Sequence, residues 1–136
     1  RIINMNKLSN IFKIIFHFLN IILIFFYLFP GSIMGWFLYN DLSKQPRITK
    51  DFTSNFIDIS SSHFYTFLIL SFFGILSYLK HKKFNLLIKY LLLLSVILEL
   101  FHLFIPKRSF QFEDLFGNIL GVIFVLFVYK IWRIKL

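Results

Sequence analysis

Four long apolar runs constrain this chain more than any other feature of its sequence. They cover residues 11–29, 63–79, 84–105 and 115–132. A helix needs about 20 mainly apolar residues to cross the hydrocarbon core of a bilayer, so each run is long enough to span it. The connections between the runs are too short for a separate soluble domain. We therefore predict one domain over residues 1–136, an all-α membrane protein with four transmembrane helices in a compact bundle.

The composition supports a membrane protein and excludes a soluble enzyme. The sequence is 58% hydrophobic and only 15% charged, whereas about a quarter of the residues are charged in an ordinary soluble domain. The absence of cysteine excludes disulfides and thiolate metal sites. The net charge of +9 comes from Lys and Arg beside the apolar runs, where such residues orient a membrane protein. We therefore expect no nucleic-acid partner.

The basic residues also predict an orientation, because Lys and Arg are enriched in cytoplasmic loops. With four spans, one side of the membrane holds Arg1, Lys7, Lys13, Lys80, Lys82, Lys83, Lys89, Lys130, Arg133 and Lys135, and the other side holds Lys44, Arg47, Lys50, Lys107 and Arg108. The richer side is predicted to be cytoplasmic. Both termini then face the cytoplasm, and the loops at residues 31–62 and 106–114 face outward.

The long outer loop contains one amphipathic segment. Phe52, Phe56 and Ile59 are spaced i, i+4 and i+7, a pattern that places apolar side chains on one face of a helix. We therefore expect a short helix over residues 51–59 that lies in the membrane interface.

Glu99 is the one acidic residue inside a predicted span. Placing an ionisable side chain in a membrane helix costs about 2.5–3.5 kcal/mol on insertion scales, so this position requires a partner. Ser95 at i−4 and His102 at i+3 lie on the same helical face. This stripe is predicted to face protein, where Glu99 either joins helices by a hydrogen bond or belongs to a functional site.

The order of the spans brings further polar residues to the depth of Glu99. His63 lies at the outer end of the second span, and Asp114 and Asn118 lie at the outer end of the fourth, after Lys107 and Arg108 in the preceding turn. This convergence predicts a site at the level of the outer headgroups. Structural alternatives stay open: Asp114 is a good helix N-cap, and Arg108 is by default a solvated loop charge.

The sequence predicts neither a metal nor another cofactor. Glu99 and His102 have the Glu-x-x-His spacing of helical di-iron sites, but such sites need two of these pairs and two more carboxylates. Gly117 and Gly121 form a GxxxG pattern in the fourth span, which favours close helix packing inside the chain over dimerisation.

Several of these residues together carry a family resemblance. In order, they are His63-Phe64 at the start of a span, Glu99-Leu-Phe-His102, Pro106-Lys107-Arg108, and Asp114 followed by Asn118 and Gly121. This pattern resembles the VanZ-like family of small bacterial membrane proteins, although His102 stands where the family usually has Gln. The resemblance implies a multi-pass protein of the bacterial cytoplasmic (inner) membrane. It also implies a link to the cell envelope and, through the founding member, to teicoplanin resistance, but it supplies no reaction.

Three functions remain open at this stage. In the first, the protein is an accessory factor that binds a membrane lipid or a lipid-linked envelope intermediate; Arg108 and Lys107 hold its phosphate, and Glu99, His102, Asp114 and Asn118 order the site. In the second, the protein is an enzyme acting on such a lipid, with Glu99 or His63 as the catalytic acid or base. The third is a structural subunit or a proton-linked transporter.

Overall fold

The computed structural model describes residues 5–46, 51–53, 58–79 and 81–134. Its elements in chain order are α1 (Met5–Leu28), α2 (Ile33–Tyr39), β1 (Phe52–Thr53), β2 (Asp58–Ile59), α3 (Ser61–Tyr78), α4 (Phe84–Phe101) and α5 (Phe112–Ile134). The described chain is thus helical apart from one short pair of strands, which confirms the all-α prediction.

Three of the described helices are long and apolar enough to cross a membrane. They are Lys7–Leu28, Phe84–Phe101 and Phe112–Ile134. Their outer faces expose large apolar side chains, such as Ile14 at 71% and Phe127 at 61%, which is the surface that lipid rather than water accommodates. The chain therefore has the features of a membrane protein.

The helix α3 does not reach that apolarity. It carries serine, threonine and histidine side chains along its length and packs chiefly against α5 and α1, with further contacts to α4. Its serines Ser61, Ser71 and Ser77 are buried inside the bundle. The second predicted span is therefore a helix covered by protein on several sides, which explains why it is more polar than its neighbours.

The close packing of α3 and α5 depends on the glycines of α5. A Cβ added at Gly121 would lie 2.5 Å from the backbone oxygen of Phe64, and one at Gly117 would lie 2.6 Å from that of Ser60. Both glycines therefore face α3 at backbone contact distance. The expectation that the GxxxG pattern packs within the chain is confirmed.

The predicted interfacial helix over residues 51–59 is wrong for the described part of that segment. Phe52 pairs with Ile59, and Thr53 pairs with Asp58, in an antiparallel arrangement; residues 54–57 lie outside the described chain. The physical reason is tertiary: β2 packs against α5, and the next residue, Ser60, donates its N–H to the backbone oxygen of Glu113 at 3.1 Å. These contacts hold the segment extended against the helix bundle.

The helix α4 ends earlier than the apolar run that predicts it. It stops at Phe101, and the next turn is closed by i→i+3 hydrogen bonds, including His102 N–H to the backbone oxygen of Glu99 at 3.1 Å. Pro106 explains this end because its ring and missing N–H cannot continue a helix. In so tight a turn, side chains three residues apart eclipse each other. The early end therefore brings His102 next to Glu99.

The connection between α1 and β1 contains a helix that the sequence analysis did not predict. After Pro30, Gly31 adopts φ +88°, and the chain turns back into α2. Ser32 caps this helix by accepting the N–H of Gly35 at 2.9 Å. The result is a short helix beside the end of α1, where it forms one wall of the site described next.

Candidate functional site

Six polar side chains from four parts of the bundle meet at one end of it. This polar cluster consists of Tyr27 from α1, His63 from α3, Glu99 and His102 from the end of α4, and Asp114 and Asn118 from α5. Glu99 and Asn118 are completely buried, and only His63 retains more than slight exposure. Buried polar groups need partners, so the hydrogen bonds of the cluster define its chemistry.

Asn118 joins α5 to three other helices, and its amide has one consistent orientation. Its Nδ2 donates to the backbone oxygen of Ser95 at 3.2 Å, an atom that can only accept. Its Oδ1 accepts the hydroxyl of Tyr27 at 2.7 Å and lies 3.1 Å from Nδ1 of His63. The hydroxyl oxygen of Tyr27 also lies 2.9 Å from that Nδ1. Because the single hydroxyl proton of Tyr27 is used at Asn118, Nδ1 of His63 carries a proton and donates.

The second nitrogen of His63 faces an acid. Its Nε2 lies 3.4 Å from Oδ2 of Asp114, in the first turn of α5. A neutral His63 that is protonated on Nδ1 has a lone pair on Nε2. Two acceptor atoms then face each other, and this contact is stable only when a cation, either a proton or a metal ion, lies between them.

The two carboxylate oxygens of Glu99 have different surroundings. Oε1 accepts the backbone N–H of Gln111 at 3.1 Å and lies 3.2 Å from Nδ1 of His102. Oε2 has no hydrogen-bond partner among the described residues. His102 also has its Nε2 3.2 Å from the backbone oxygen of Tyr27, which can only accept, so His102 donates there. Glu99 is therefore held by one oxygen and has a second oxygen left for a further partner.

Three residues of the polar cluster have the geometry to hold a metal ion. One ligand atom each from His63, Glu99 and Asp114 can be chosen so that all lie within 4.8 Å of one another. The three side chains come from α3, α4 and α5, so the grouping depends on the packing of the bundle. Sequence spacing alone does not reveal such a set.

The carboxyl end of α1 is capped by the turn between α4 and α5. Arg108 donates from Nη2 to the backbone oxygen of Phe26 at 2.9 Å and from Nε to that of Phe29 at 3.4 Å. These carbonyls belong to the end of a helix, where intrahelical donors run out and positive charge is favoured. Burial lowers the pKa of Arg108 from its usual value, yet a guanidinium stays charged at physiological pH. Arg108 therefore has a structural role that the sequence analysis did not assign to it.

A cavity of about 370 Å³ lies beside the polar cluster. Its polar wall includes Tyr27, His63, His102 and Arg108, and its apolar wall includes Phe26 of α1 together with Ile33, Met34 and Leu38 of α2. Its volume lies within the range of small-ligand sites, about 300–1,000 Å³, and so does its mixture of apolar walls with a few polar groups.

The candidate residues that were expected to converge lie together, except for Lys107. Arg108 borders the cavity, and the other predicted residues belong to the polar cluster. Lys107 adopts φ +61° and lines a separate depression with Trp36 and Asp41. The two adjacent cations therefore face different surfaces.

The sequence analysis missed Tyr27 and Gln111 as members of the site. Tyr27 lies one turn before Pro30, at the depth of the other polar residues. A hydroxyl group at that depth could have identified it as a member of the site. Gln111 acts through its backbone N–H, which no side-chain pattern indicates.

No protein-family model matches this chain, and no curated protein or solved structure matches it either.

Proposed function

We propose that the protein is a VanZ-like integral membrane protein of the bacterial cell envelope that binds a lipid-linked or other anionic headgroup at the outer leaflet. The observation that carries this proposal is the cavity beside the polar cluster, because it combines one half-buried cation, Arg108, with two histidines and an apolar wall. Cation and apolar wall are the two surfaces that an anionic lipid requires. A soluble anion needs only the first.

The membrane arrangement belongs to the same proposal. We take α3 as the fourth span, because it is 18 residues long and lies against all three helices that are apolar enough to cross a membrane. Its buried serines face protein, so they do not have to enter lipid. With four spans, the positive-inside rule puts both termini in the cytoplasm of a bacterial inner membrane and puts the cavity on the outer side.

Arg108 can bind an anion while it still caps α1. Its two hydrogen bonds to α1 use Nε and Nη2, and a guanidinium has five N–H donors in all. The Nη1 donors and the second proton of Nη2 remain for an oxyanion in the cavity. Lys107 lines a different surface, so the proposed headgroup contact omits it. Phosphate is the preferred anion because its oxygens match the planar donors of arginine.

A binding experiment tests the proposal. The intact chain, extracted in mild detergent, is analysed by native mass spectrometry for a retained lipid phosphate. We expect retention by the wild type and by Lys107→Gln, and loss from Met34→Trp, which fills the cavity from α2 and changes no residue of the polar cluster. Arg108→Gln is expected to lose the ligand as well. Equal retention by all four proteins, or by none, would contradict the proposal.

An enzyme acting on the same lipid is the second candidate. Two histidine–carboxylate pairs support it, His63 with Asp114 and His102 with Glu99, and both histidines line the cavity. Such pairs can transfer a proton to or from a bound substrate. Incubation with phosphate-bearing lipids distinguishes the candidates: release of inorganic phosphate or of a cleaved headgroup, abolished by His63→Gln, indicates an enzyme. Stable retention of an unchanged lipid indicates a binding factor.

A further inference from the structure

We propose that His63, Glu99 and Asp114 bind a divalent transition-metal ion of the zinc class. This inference goes beyond the headgroup proposal, which requires no metal. It starts from three side chains of metal-binding type on three helices. One ligand atom can be chosen from each so that all three atoms lie within 4.8 Å of one another. Glu99 is completely buried and Asp114 nearly so. Water therefore solvates their negative charges poorly, and buried carboxylates need a positive partner inside the protein.

The protonation of His63 favours a metal. Its Nδ1–H donates to the oxygens of Asn118 and Tyr27, which leaves the lone pair of Nε2 directed at Asp114. Metal-binding histidines have this arrangement: one ring nitrogen binds the ion while the N–H of the other donates to a neighbouring acceptor. Ser95 fixes the arrangement by accepting from the amide of Asn118.

The distance between His63 and Asp114 is compatible with a shared metal ion. Their facing atoms are 3.4 Å apart, whereas a charge-assisted hydrogen bond between nitrogen and oxygen is about 2.7–2.9 Å long. Zinc lies about 2.1 Å from nitrogen and carboxylate ligands, so neighbouring ligands in a tetrahedron are about 3.4 Å apart. The observed separation fits two ligands of one ion.

The third ligand comes from Glu99. Its Oε1 is held by the backbone of Gln111 and faces His102, and its Oε2 is buried without a partner among the described residues. An unpartnered carboxylate oxygen in a buried site is costly unless it meets a cation. The three ligands, two carboxylates and one neutral imidazole, carry a charge of −2, which a divalent ion neutralises. The proton between Nδ1 of His102 and Oε1 of Glu99 then gives the whole cluster a charge of +1, which suits an anionic ligand.

The ligand types select the metal. One imidazole nitrogen with carboxylate oxygens suits zinc and related transition ions, whereas magnesium and calcium prefer sites built from oxygen alone. Three protein ligands also leave a fourth position for water or for a ligand, as in catalytic zinc sites. Because His63 also lines the cavity, the ion would lie next to an anionic group bound there.

Metal content of the intact protein tests the inference. The full chain is purified in mild detergent without chelator, and zinc is measured by inductively coupled plasma mass spectrometry. We expect about one zinc ion per chain. After chelation, Co²⁺ is expected to rebind with the visible absorption of a tetrahedral N/O site. Absence of stoichiometric zinc, together with absence of this absorption in the wild type, would overturn the inference.

Matched variants identify the ligands. Asp114→Asn and Glu99→Gln each remove one carboxylate charge and are expected to abolish zinc retention. Glu113→Gln makes the same change at the exposed neighbour of Asp114 and is expected to retain zinc fully. His102→Gln, which alters a partner of Glu99 rather than a ligand, is expected to weaken zinc binding about 10- to 100-fold. If Asp114→Asn and Glu113→Gln, both helical by circular dichroism, bind zinc equally, the proposed ligand set is wrong.

The metal and the headgroup proposals fail separately. Met34→Trp is expected to remove a bound lipid and to keep the zinc, since it fills the cavity and leaves the three ligands in place. Zinc without any retained lipid would support the ion and contradict the headgroup site. A retained lipid without zinc would do the reverse.

Discussion

Replacing Gly117 with alanine tests whether the contact between α3 and α5 positions the polar cluster. An added Cβ would lie 2.6 Å from the backbone oxygen of Ser60, 3.1 Å from Cβ of His63 and 3.2 Å from the backbone nitrogen of Phe64. Non-bonded carbon atoms pack best at about 3.5–4.0 Å. Since two of the three neighbours are backbone atoms, the two helices must separate by about 0.5–1 Å to relieve the contact.

Two opposing energies set the size of the effect. Overpacking of this kind costs about 1–3 kcal/mol, and alanine regains at most about 1 kcal/mol of helix propensity over glycine. Separation also stretches the contacts of His63 with Asp114 and Asn118, now 3.4 Å and 3.1 Å long, and a typical hydrogen bond contributes about 1 kcal/mol. We therefore expect Gly117→Ala to lower the free energy of unfolding by about 1–3 kcal/mol.

The assay is an SDS titration of the protein in mild-detergent micelles, followed by helical circular dichroism. Gly74→Ala is the matched control, because the three atoms nearest to its added Cβ are side-chain atoms of Phe16 and Leu87 at 3.0 Å or more, so the contact is looser than at Gly117 and involves no backbone atom. We expect this control to change stability by less than about 1 kcal/mol. A Gly117→Ala protein at least as stable as the wild type would refute the reasoning, since helix propensity would then be the only effect.

Three further predictions follow from single contacts. Tyr27→Phe removes the hydroxyl that joins α1 to α3 and α5, and the same titration should show a loss of about 1–2 kcal/mol. Reporter fusions after Lys83 and after Arg108 should report opposite sides of the membrane; the same side for both would contradict the four-span arrangement. Hydrogen bonds from Ser43 lower the pKa of Asp41, so the turn they form should persist above the ordinary carboxyl pKa and open as the pH falls through the lowered value. A carboxyl resonance that titrates at its ordinary value by NMR would contradict this last prediction.

The depth of the site was predictable because it depends only on the order of the spans. Once the apolar runs are taken as helices that alternate in direction, His63, Glu99 and Asp114 must reach the same end of the bundle. The polar stripe of Glu99 also had to turn towards protein because of the cost of a carboxyl in lipid. The burial of Ser95, Glu99 and His102 confirms this prediction.

The rotation of each helix about its axis was not predictable, since it is set by packing between distant segments. Tyr27 lies in an apolar run where a tyrosine is also ordinary, and only the packing of α1 against α3 turns it towards Asn118. From the sequence, Arg108 is an ordinary solvated residue of a loop, and its position at the end of α1 depends on the same packing. The segment that forms β1 and β2 carried a helical pattern, but its contacts with α5 and between the strands keep it extended.

Residues of the polar cluster whose donors and acceptors are all hydrogen-bonded differ in role from residues that keep an unbonded polar atom. Asn118 and Tyr27 have their donors and acceptors matched inside the bundle, so helix packing alone explains them. The same packing leaves Oε2 of Glu99 without a partner among the described residues and sets Nε2 of His63 against a carboxylate. Hydrophobic residues at these positions would stabilise the bundle at lower cost, because a buried charge stabilises a fold only when it is fully paired. Residues whose bonding is complete therefore support the site, and the residues with bonding capacity left over are the ones on which its chemistry depends.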